Sequence, residues 1–177
     1  MEMTRTALVT GGASGIGAAT ARAFARNGFD VAIADLDVAA AETLATEIGG
    51  RARGLKVDVS LESSVRALID GVVDHLGPLD AVSVNAGIAF PEAPLAETAD
   101  DTVDALLNVN LRGAMLTARA AIPHIRDGGA LVFASSTSGL LAHAGAAPYA
   151  ATKIAVIGLA RSLVPELAPS RIRVNCV

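Results

Sequence analysis

The chain has 177 residues, of which 52% are hydrophobic and 18% charged, and its formal net charge is −4. This length suits a single domain, the apolar fraction excludes a disordered chain, and the mild negative charge argues against a nucleic-acid-binding protein. No apolar run reaches membrane-spanning length, no signal-like segment opens the chain, and the single cysteine, Cys176, favours a reducing compartment. We therefore expect one cytoplasmic domain over residues 1–177.

The order of apolar runs and helical patterns predicts the fold class. Aromatic residues make up only 3% of the chain, so the core must consist of Ala, Val, Leu and Ile side chains, as in a parallel sheet covered by helices. We predict an α/β fold, a doubly wound parallel sheet in strand order 3-2-1-4-5-6 with helices on both faces. The predicted strands cover residues 6–10, 30–34, 52–57, 81–84, 130–134 and 172–177, and the main helices cover 38–48, 61–76, 100–125 and 149–167, with Ser60 expected to cap the helix at 61–76.

A glycine-rich turn follows the first predicted strand and opens a helix that runs to Asn27. Strand, glycine turn and helix in this order aim free backbone N–H groups and the positive end of a helix dipole at a phosphate. Glycine-rich turns are common, but this context is the one that supports nucleotide binding. The candidate cofactor-binding residues of the turn are Gly11, Ser14, Gly15, Ile16 and Gly17.

Asp35 ends the second predicted strand, at a distance from Gly17 that is typical of a carboxylate that binds the adenosine ribose. A negative charge there repels a 2′-phosphate. Positions 14 and 36 hold a serine and a leucine, not a lysine or arginine that could attract that phosphate. Capping of the next helix is the alternative role, and Asp37 fits it better. We predict NAD rather than NADP.

Two further groups of residues follow predicted strands. Asp58 and Val59 come after the third strand, where ligands collect in open α/β sheets. Asn85, Ala86 and Gly87 come after the fourth, where small residues let a ligand ring approach the backbone, although the same triplet could form an ordinary turn. All five are candidate cofactor-binding residues, and no metal site is predicted.

Asn108 and Asn110 lie in the middle of the predicted helix over 100–125. Asparagine is a poor residue for a helix interior, so this pair predicts a kink or a buried polar contact. An inward-facing Asn110 would supply the contact.

Ser136, Tyr149 and Lys153 are the candidate reactive residues. Tyr149 and Lys153 lie four positions apart, so they share one face of a predicted helix. A phenol ordinarily titrates near pH ~10, and a neighbouring ammonium favours its ionised form, which makes a tyrosine a better base near neutral pH. Ser136 would hold the oxygen that gains or loses the proton. The same Tyr-x-x-x-Lys spacing also occurs on ordinary helices without function.

The loops at 88–97 and 139–148 are mostly apolar. They suggest a pocket for a modest, uncharged molecule.

Taken in order, these motifs resemble the short-chain dehydrogenases/reductases, and the resemblance covers essentially the whole chain. Thr10-Gly11-x-x-x-Gly15-x-Gly17 is similar to the family's cofactor turn, and Asn85-Ala86-Gly87 to the core of its Asn-Asn-Ala-Gly motif, with Val84 in place of the first Asn. The catalytic tetrad of the family falls on Asn110, Ser136, Tyr149 and Lys153.

The resemblance implies a Rossmann-type fold and hydride transfer between NAD and a small-molecule secondary alcohol or ketone. In that scheme Tyr149 is the general acid/base and also contacts the cofactor, and Ser136 positions the substrate oxygen. Lys153 binds the nicotinamide ribose and favours the ionised tyrosine, while Asn110 holds the kink and a water that links Lys153 to solvent. The resemblance also implies a homo-oligomer, a dimer or tetramer, formed through helices 100–125 and 149–167.

The sequence also departs from the family pattern after Val177, where a Pro-Gly turn, a substrate-covering segment and a seventh strand would follow. We therefore expect either a fragment of a longer enzyme or a truncated product whose bare edge strand favours self-association. Two alternatives to an active dehydrogenase stay open. One is a nucleotide-binding module with weak catalysis. The other is a nucleotide-sugar epimerase, which shares Tyr-x-x-x-Lys but fits the glycine turn less well.

Overall fold

The computed structural model describes residues 4–177, which form one parallel six-stranded sheet. The strand order is β3-β2-β1-β4-β5-β6, which confirms the predicted fold and places β1 between β2 and β4 at the centre. The strands are β1 Arg5–Thr10, β2 Phe29–Asp35, β3 Arg53–Lys56, β4 Leu79–Val84, β5 Ile125–Phe133 and β6 Arg173–Cys176.

Helices cover both faces of this sheet because successive strand residues point to opposite sides. On β1, Leu8 belongs to an apolar cluster with α3, α5 and α6, whereas its neighbour Val9 belongs to a second cluster with α1 and α2. No helix within residues 4–177 is long and apolar enough to cross a membrane. The helices are α1 Gly15–Arg26, α2 Val38–Ile48, α3 Glu62–Leu76, α4 Asp100–Leu106, α5 Gly113–Ala121 and α6 Ala147–Leu167.

The predicted helix over 100–125 is interrupted and shorter than expected. A π-helical turn, Leu107–Arg112, separates α4 from α5 and interrupts the regular helix at the two asparagines, where a kink or a buried polar contact was expected. The helix ends at Ala121, and a short 3₁₀ turn that contains Pro123 follows. Proline has no backbone N–H to donate to the preceding turn, so it ends the helix. β5 consequently begins at Ile125, five residues before the predicted start.

The predicted capping role of Ser60 is wrong. Its hydroxyl donates to the Asp58 carboxylate at 2.6 Å, and its backbone N–H donates to the same oxygen at 2.9 Å. Such local hydrogen bonds compete with capping. Leu61 precedes the first helical residue of α3, and the Ser64 hydroxyl instead accepts from the backbone N–H of Asp58 at 2.9 Å.

Candidate active site

A cavity of about 590 Å³ opens at the carboxyl ends of the central strands. The predicted cofactor-binding residues that line it are Gly11, Ser14, Gly15, Ile16, Asp35, Asp58, Val59, Asn85, Ala86, Gly87, Tyr149 and Lys153. Gly17 is buried beneath the turn and does not line it. Residues from five separate predicted motifs thus meet in one cavity. Four of the motifs follow strands, and parallel strands bring their carboxyl ends to the same edge of a sheet.

The glycine-rich turn is tight on its inner side and open on its outer side. A Cβ atom at Gly17 would overlap the carbonyl oxygen of Gly11, so a side chain cannot be accommodated there. The Asn85 amide donates to that same carbonyl oxygen at 2.9 Å and ties the turn to the end of β4. On the outer side, Ile16 is 75% exposed and nothing lies within 4 Å of a Cβ atom at Gly15. The open side leaves room for a phosphate group to approach the backbone.

Asp35 is held at the rim of the cavity by two backbone N–H groups. Ala13 donates to its Oδ2 at 3.0 Å and Asp37 donates to its Oδ1 at 3.2 Å. Asp37 itself caps α2 and accepts from the N–H of Ala40 at 3.0 Å, which confirms the capping assignment. Among the described residues that line this cavity, Lys153 is the only one that is a lysine or an arginine.

Lys153 lies on α6 and is only 6% exposed. Its Nζ donates to the carbonyl oxygen of Ala134 at 2.9 Å, and its backbone carbonyl oxygen accepts from the Ser135 hydroxyl at 2.8 Å. Burial lowers the pKa of Lys153, and the nearby Cys176 opposes part of that shift. An ammonium has three donors, so after the bond to Ala134 two remain for a ligand in the cavity that Lys153 lines.

Tyr149 lies between this cavity and a second one of about 520 Å³. Tyr149 and Ala89 line both cavities, whereas Ser136 lines only the second. The Nζ of Lys153 lies 5.6 Å from the centroid of the Tyr149 ring, one helical turn further along α6. A molecule in the second cavity would therefore have Tyr149 and Ser136 in its walls, with Lys153 on the other side of the tyrosine.

The Ser136 hydroxyl has a defined hydrogen-bonding role. Its oxygen accepts from the backbone N–H of Ser138 at 3.1 Å, within the short 3₁₀ turn Thr137–Gly139. Because the oxygen accepts this bond, its own hydrogen stays available to a ligand in the second cavity. Ser138 also lines that cavity and was not predicted as a site residue.

Asn110 is buried in the π-helical turn and bonds to the loop that follows β4. Ile88 donates its backbone N–H to Asn110 Oδ1 at 2.7 Å and accepts from Asn110 Nδ2 at 2.9 Å. A Cβ atom at Gly87 would lie 3.2 Å from Asn110 Oδ1 and 3.4 Å from Lys153 Nζ, so these two side chains meet beside Gly87. The predicted inward-facing polar contact of Asn110 is confirmed.

Two threonines support the site. Thr10 was noted only as part of the glycine-rich motif, and Thr152 was not predicted as a site residue. The Thr152 hydroxyl donates to the carbonyl oxygen of Tyr149 at 2.7 Å and accepts from Asn110 at 3.3 Å. The Thr10 hydroxyl accepts from the backbone N–H of Asn85 at 3.2 Å. A polar residue beside Lys153 on an otherwise apolar helix was the available indication for Thr152.

The loops at 88–97 and 139–148 line the second cavity together, and most of the side chains they contribute are apolar, as expected. Glu92, Glu97 and His143 also line it, so the pocket itself carries charged or titratable side chains, and the uncharged ligand stays a prediction. Glu92 Oε1 and His143 Nε2 lie 2.7 Å apart and join the two loops.

Residues 5–177 match the short chain dehydrogenase family. The chain is 42% identical to tropinone reductase-like 2 from Erythroxylum coca, over 98% of this chain and 65% of that protein. It is 40% identical to a cis-4-hydroxycyclohexanecarboxylate dehydrogenase from Sinomonas cyclohexanicum, over 98% of this chain and 71% of that protein.

Among solved structures, the chain is similar to a 3-ketoacyl-(acyl-carrier-protein) reductase from Brucella melitensis complexed with NADH. The TM-score is 0.94 at 34% identity, over 97% of this chain and 73% of that one. The chain spans about 65% of the length of tropinone reductase-like 2 and of tropinone reductase-like 1, both from Erythroxylum coca. Its sheet order, its match from residue 5 to residue 177 and these relatives show that the chain belongs to the short chain dehydrogenase family.

Proposed function

We propose that this chain is the nucleotide-binding and catalytic domain of an NAD-dependent oxidoreductase that interconverts a secondary alcohol and a ketone. The observation that carries the proposal is the position of Tyr149, which lines both the cavity formed by the glycine-rich turn and the second cavity that contains Ser136. A group that exchanges a proton with the substrate while lying against a nucleotide must occupy such a position.

The residues of the first cavity fit a dinucleotide. The open side of the turn at Gly15 and Ile16 suits a pyrophosphate, and Asp35 suits the hydroxyls of the adenosine ribose. The NADH in the similar reductase from Brucella melitensis supports a nicotinamide cofactor here. Asp35 favours NAD over NADP, since a carboxylate repels a 2′-phosphate and no arginine among the described lining residues compensates.

In this scheme a nicotinamide cofactor held by the residues of the first cavity would supply the acceptor for the hydride of the alcohol carbon. Tyr149 accepts the proton of the alcohol hydroxyl through its phenol oxygen, and returns a proton in the reverse direction. The Ser136 hydroxyl donates to the same substrate oxygen and holds it beside Tyr149. The ammonium of Lys153 stabilises the ionised tyrosine and donates its free N–H groups into the first cavity.

Asn110 positions these groups rather than reacting. It ties the π-helical turn to Ile88 and reaches the Thr152 hydroxyl, which bonds to the carbonyl oxygen of Tyr149. One buried amide therefore connects the loop after β4 to the helix that carries Tyr149 and Lys153.

Reduction of NAD by a panel of small secondary alcohols tests this function. We expect turnover with NAD and at least about tenfold tighter binding of NAD than of NADP, a difference of ~1.4 kcal/mol. NAD binding without turnover of any alcohol or ketone would instead identify a nucleotide-binding module.

We also propose a homo-oligomer formed through the helical segment of α4 and α5 and through α6. The exposed apolar side chains Leu107, Met115, Ile154 and Val164 on these segments support it. Size-exclusion chromatography with light scattering tests this, and a monomer would contradict it.

We further propose that the chain functions in the cytosol. The unpaired thiol of Cys176 is consistent with that reducing compartment.

A further inference from the structure

The second cavity carries negative charge at its mouth. Glu92 and Glu97 line it together with one imidazole, that of His143, and none of the described lining residues is a lysine or an arginine. Two carboxylates against one imidazole leave the lining negative whether or not His143 carries a proton. Both glutamates are exposed, so they act across solvent. A like charge brought beside them is repelled, and an opposite charge is attracted.

These carboxylates are positioned by the backbone. The N–H of Ala93 donates to the carbonyl oxygen of Gly145 at 3.1 Å, which fixes the segment that carries Glu92 against the loop at 139–148. A Cβ atom at Gly145 would lie 2.9 Å from the Cβ of Glu92, so the two loops are in direct contact. Glu97 ends the 3₁₀ turn that begins at Leu95.

Much of the remaining wall is apolar, although Thr98, Thr102 and Ser138 also line it. Phe90, Pro91, Leu106 and Pro148 line the same cavity as Tyr149 and Ser136. The cavity therefore suits a molecule whose carbon framework lies against apolar side chains.

We propose that the second cavity selects alcohols and ketones with an apolar ring or chain whose remote substituent is neutral or positively charged, and that Glu92 and Glu97 discriminate against anionic substrates. This inference rests on the proposed function for the assignment of the cavity to the substrate. The charge selection itself follows from the lining and can be measured by binding alone.

Three probes of nearly equal shape test the selection. They are 4-methylcyclohexanol, 4-aminocyclohexanol and 4-hydroxycyclohexanecarboxylate, which share a ring and a secondary alcohol and differ in charge at neutral pH. Binding to the chain with NADH is measured by saturation-transfer NMR, which needs no turnover, and NAD reduction is measured in parallel. We expect the neutral and cationic probes to bind at least about tenfold more tightly than the carboxylate.

Glu92→Gln and Glu97→Gln each remove one charge and keep the size of the side chain. The quantity compared is the gap, defined as the ratio of the dissociation constant of the carboxylate to that of the amine. Each variant is expected to lower this ratio about threefold or more. Glu97→Gln is included as a second variant because Glu92→Gln also removes the charge that is paired with His143. Glu166→Gln is the matched control, since Glu166 is exposed on α6 about 25 Å along the helix from Tyr149, and it should leave the gap unchanged.

The outcomes separate the two proposals. If the carboxylate binds as tightly as the amine, if no probe binds, or if neither glutamine variant narrows the gap, the charge selection is wrong. If the binding order is as expected but no probe is oxidised, the selection stands and the proposed oxidoreductase function fails.

Discussion

Asn110 and Ile88 hold each other by two hydrogen bonds, one in each direction between the side-chain amide and the backbone. This pairing joins the middle of a long helical segment to the loop after β4. It lies beside the side chain of Lys153, which lines the first cavity. The backbone groups of Ile88 have no other hydrogen-bond partner among the described residues.

Asn110→Ala should therefore lower the free energy of unfolding by about 2–3 kcal/mol, because it leaves a donor and an acceptor unpaired in a partly buried place. Urea denaturation measures the loss. Asn108→Ala is the control, since Asn108 is exposed in the same π-helical turn and should change stability by less than about 0.5 kcal/mol. Equal effects of the two substitutions would contradict the pairing as the source of stability.

Asp35→Ala should reduce the preference for NAD over NADP. The substitution removes the carboxylate that would repel a 2′-phosphate, so the two dissociation constants should approach each other from a difference of at least about tenfold. Titration of both cofactors measures this. Asp37→Ala removes a neighbouring charge and the cap of α2, so it should cost about 1 kcal/mol of stability without changing the preference. Equal affinities in the wild-type chain would show that Asp35 does not select the cofactor.

Much of this arrangement was predictable because it depends on local patterns. Alternating apolar runs and helices predict a parallel sheet, and parallel strands then bring Gly11, Asp35 and Asn85 to one edge. The two mid-helix asparagines predicted a kink or a buried polar contact, and Asn110 makes that contact within a π-helical turn.

The features that were predicted wrongly or not at all depend on local chemistry and contacts that hydrophobic periodicity does not reveal. Apolar periodicity extended the helix at 100–125 past Pro123, where the missing N–H ends it. Ser60 is a good capping residue by type, but the Asp58 carboxylate is close enough to take its hydroxyl. The Glu92–His143 pair joins positions 51 residues apart, so only the folded loops show that the second cavity is charged.

Lys153→Met should stabilise the chain while it weakens nucleotide binding. Methionine is one atom shorter than lysine and apolar. We expect the removal of a buried charge to outweigh the lost bond to the Ala134 carbonyl oxygen and to add about 1 kcal/mol to the free energy of unfolding at pH 7. Loss of the donor and charge should weaken NAD binding and slow turnover together. A variant that binds NAD as tightly as the wild type would remove Lys153 from the cofactor site.

The difference in the free energy of unfolding between Lys153→Met and the wild type should also depend on pH. Because the pKa of Lys153 is lowered in the folded chain, the unfolded chain binds this proton more tightly, and the cost of burying the charge is fully present at neutral pH. The cost falls as pH rises from the folded-state pKa towards the ordinary ~10.4. Urea denaturation at neutral and alkaline pH should show the gap between Lys153→Met and the wild type narrowing. Lys56→Met, on the exposed Lys56, should show no such change.

Tyr149→Phe tests the central claim most directly. The ring still packs at the start of α6, and only the oxygen that exchanges the proton is lost, so turnover should fall by at least about 100-fold while the dissociation constant of NAD changes less than about twofold. Steady-state NAD reduction and NADH fluorescence titration, made on the same preparations, measure the two quantities. Turnover close to that of the wild type would contradict the assignment of Tyr149 as the general acid/base.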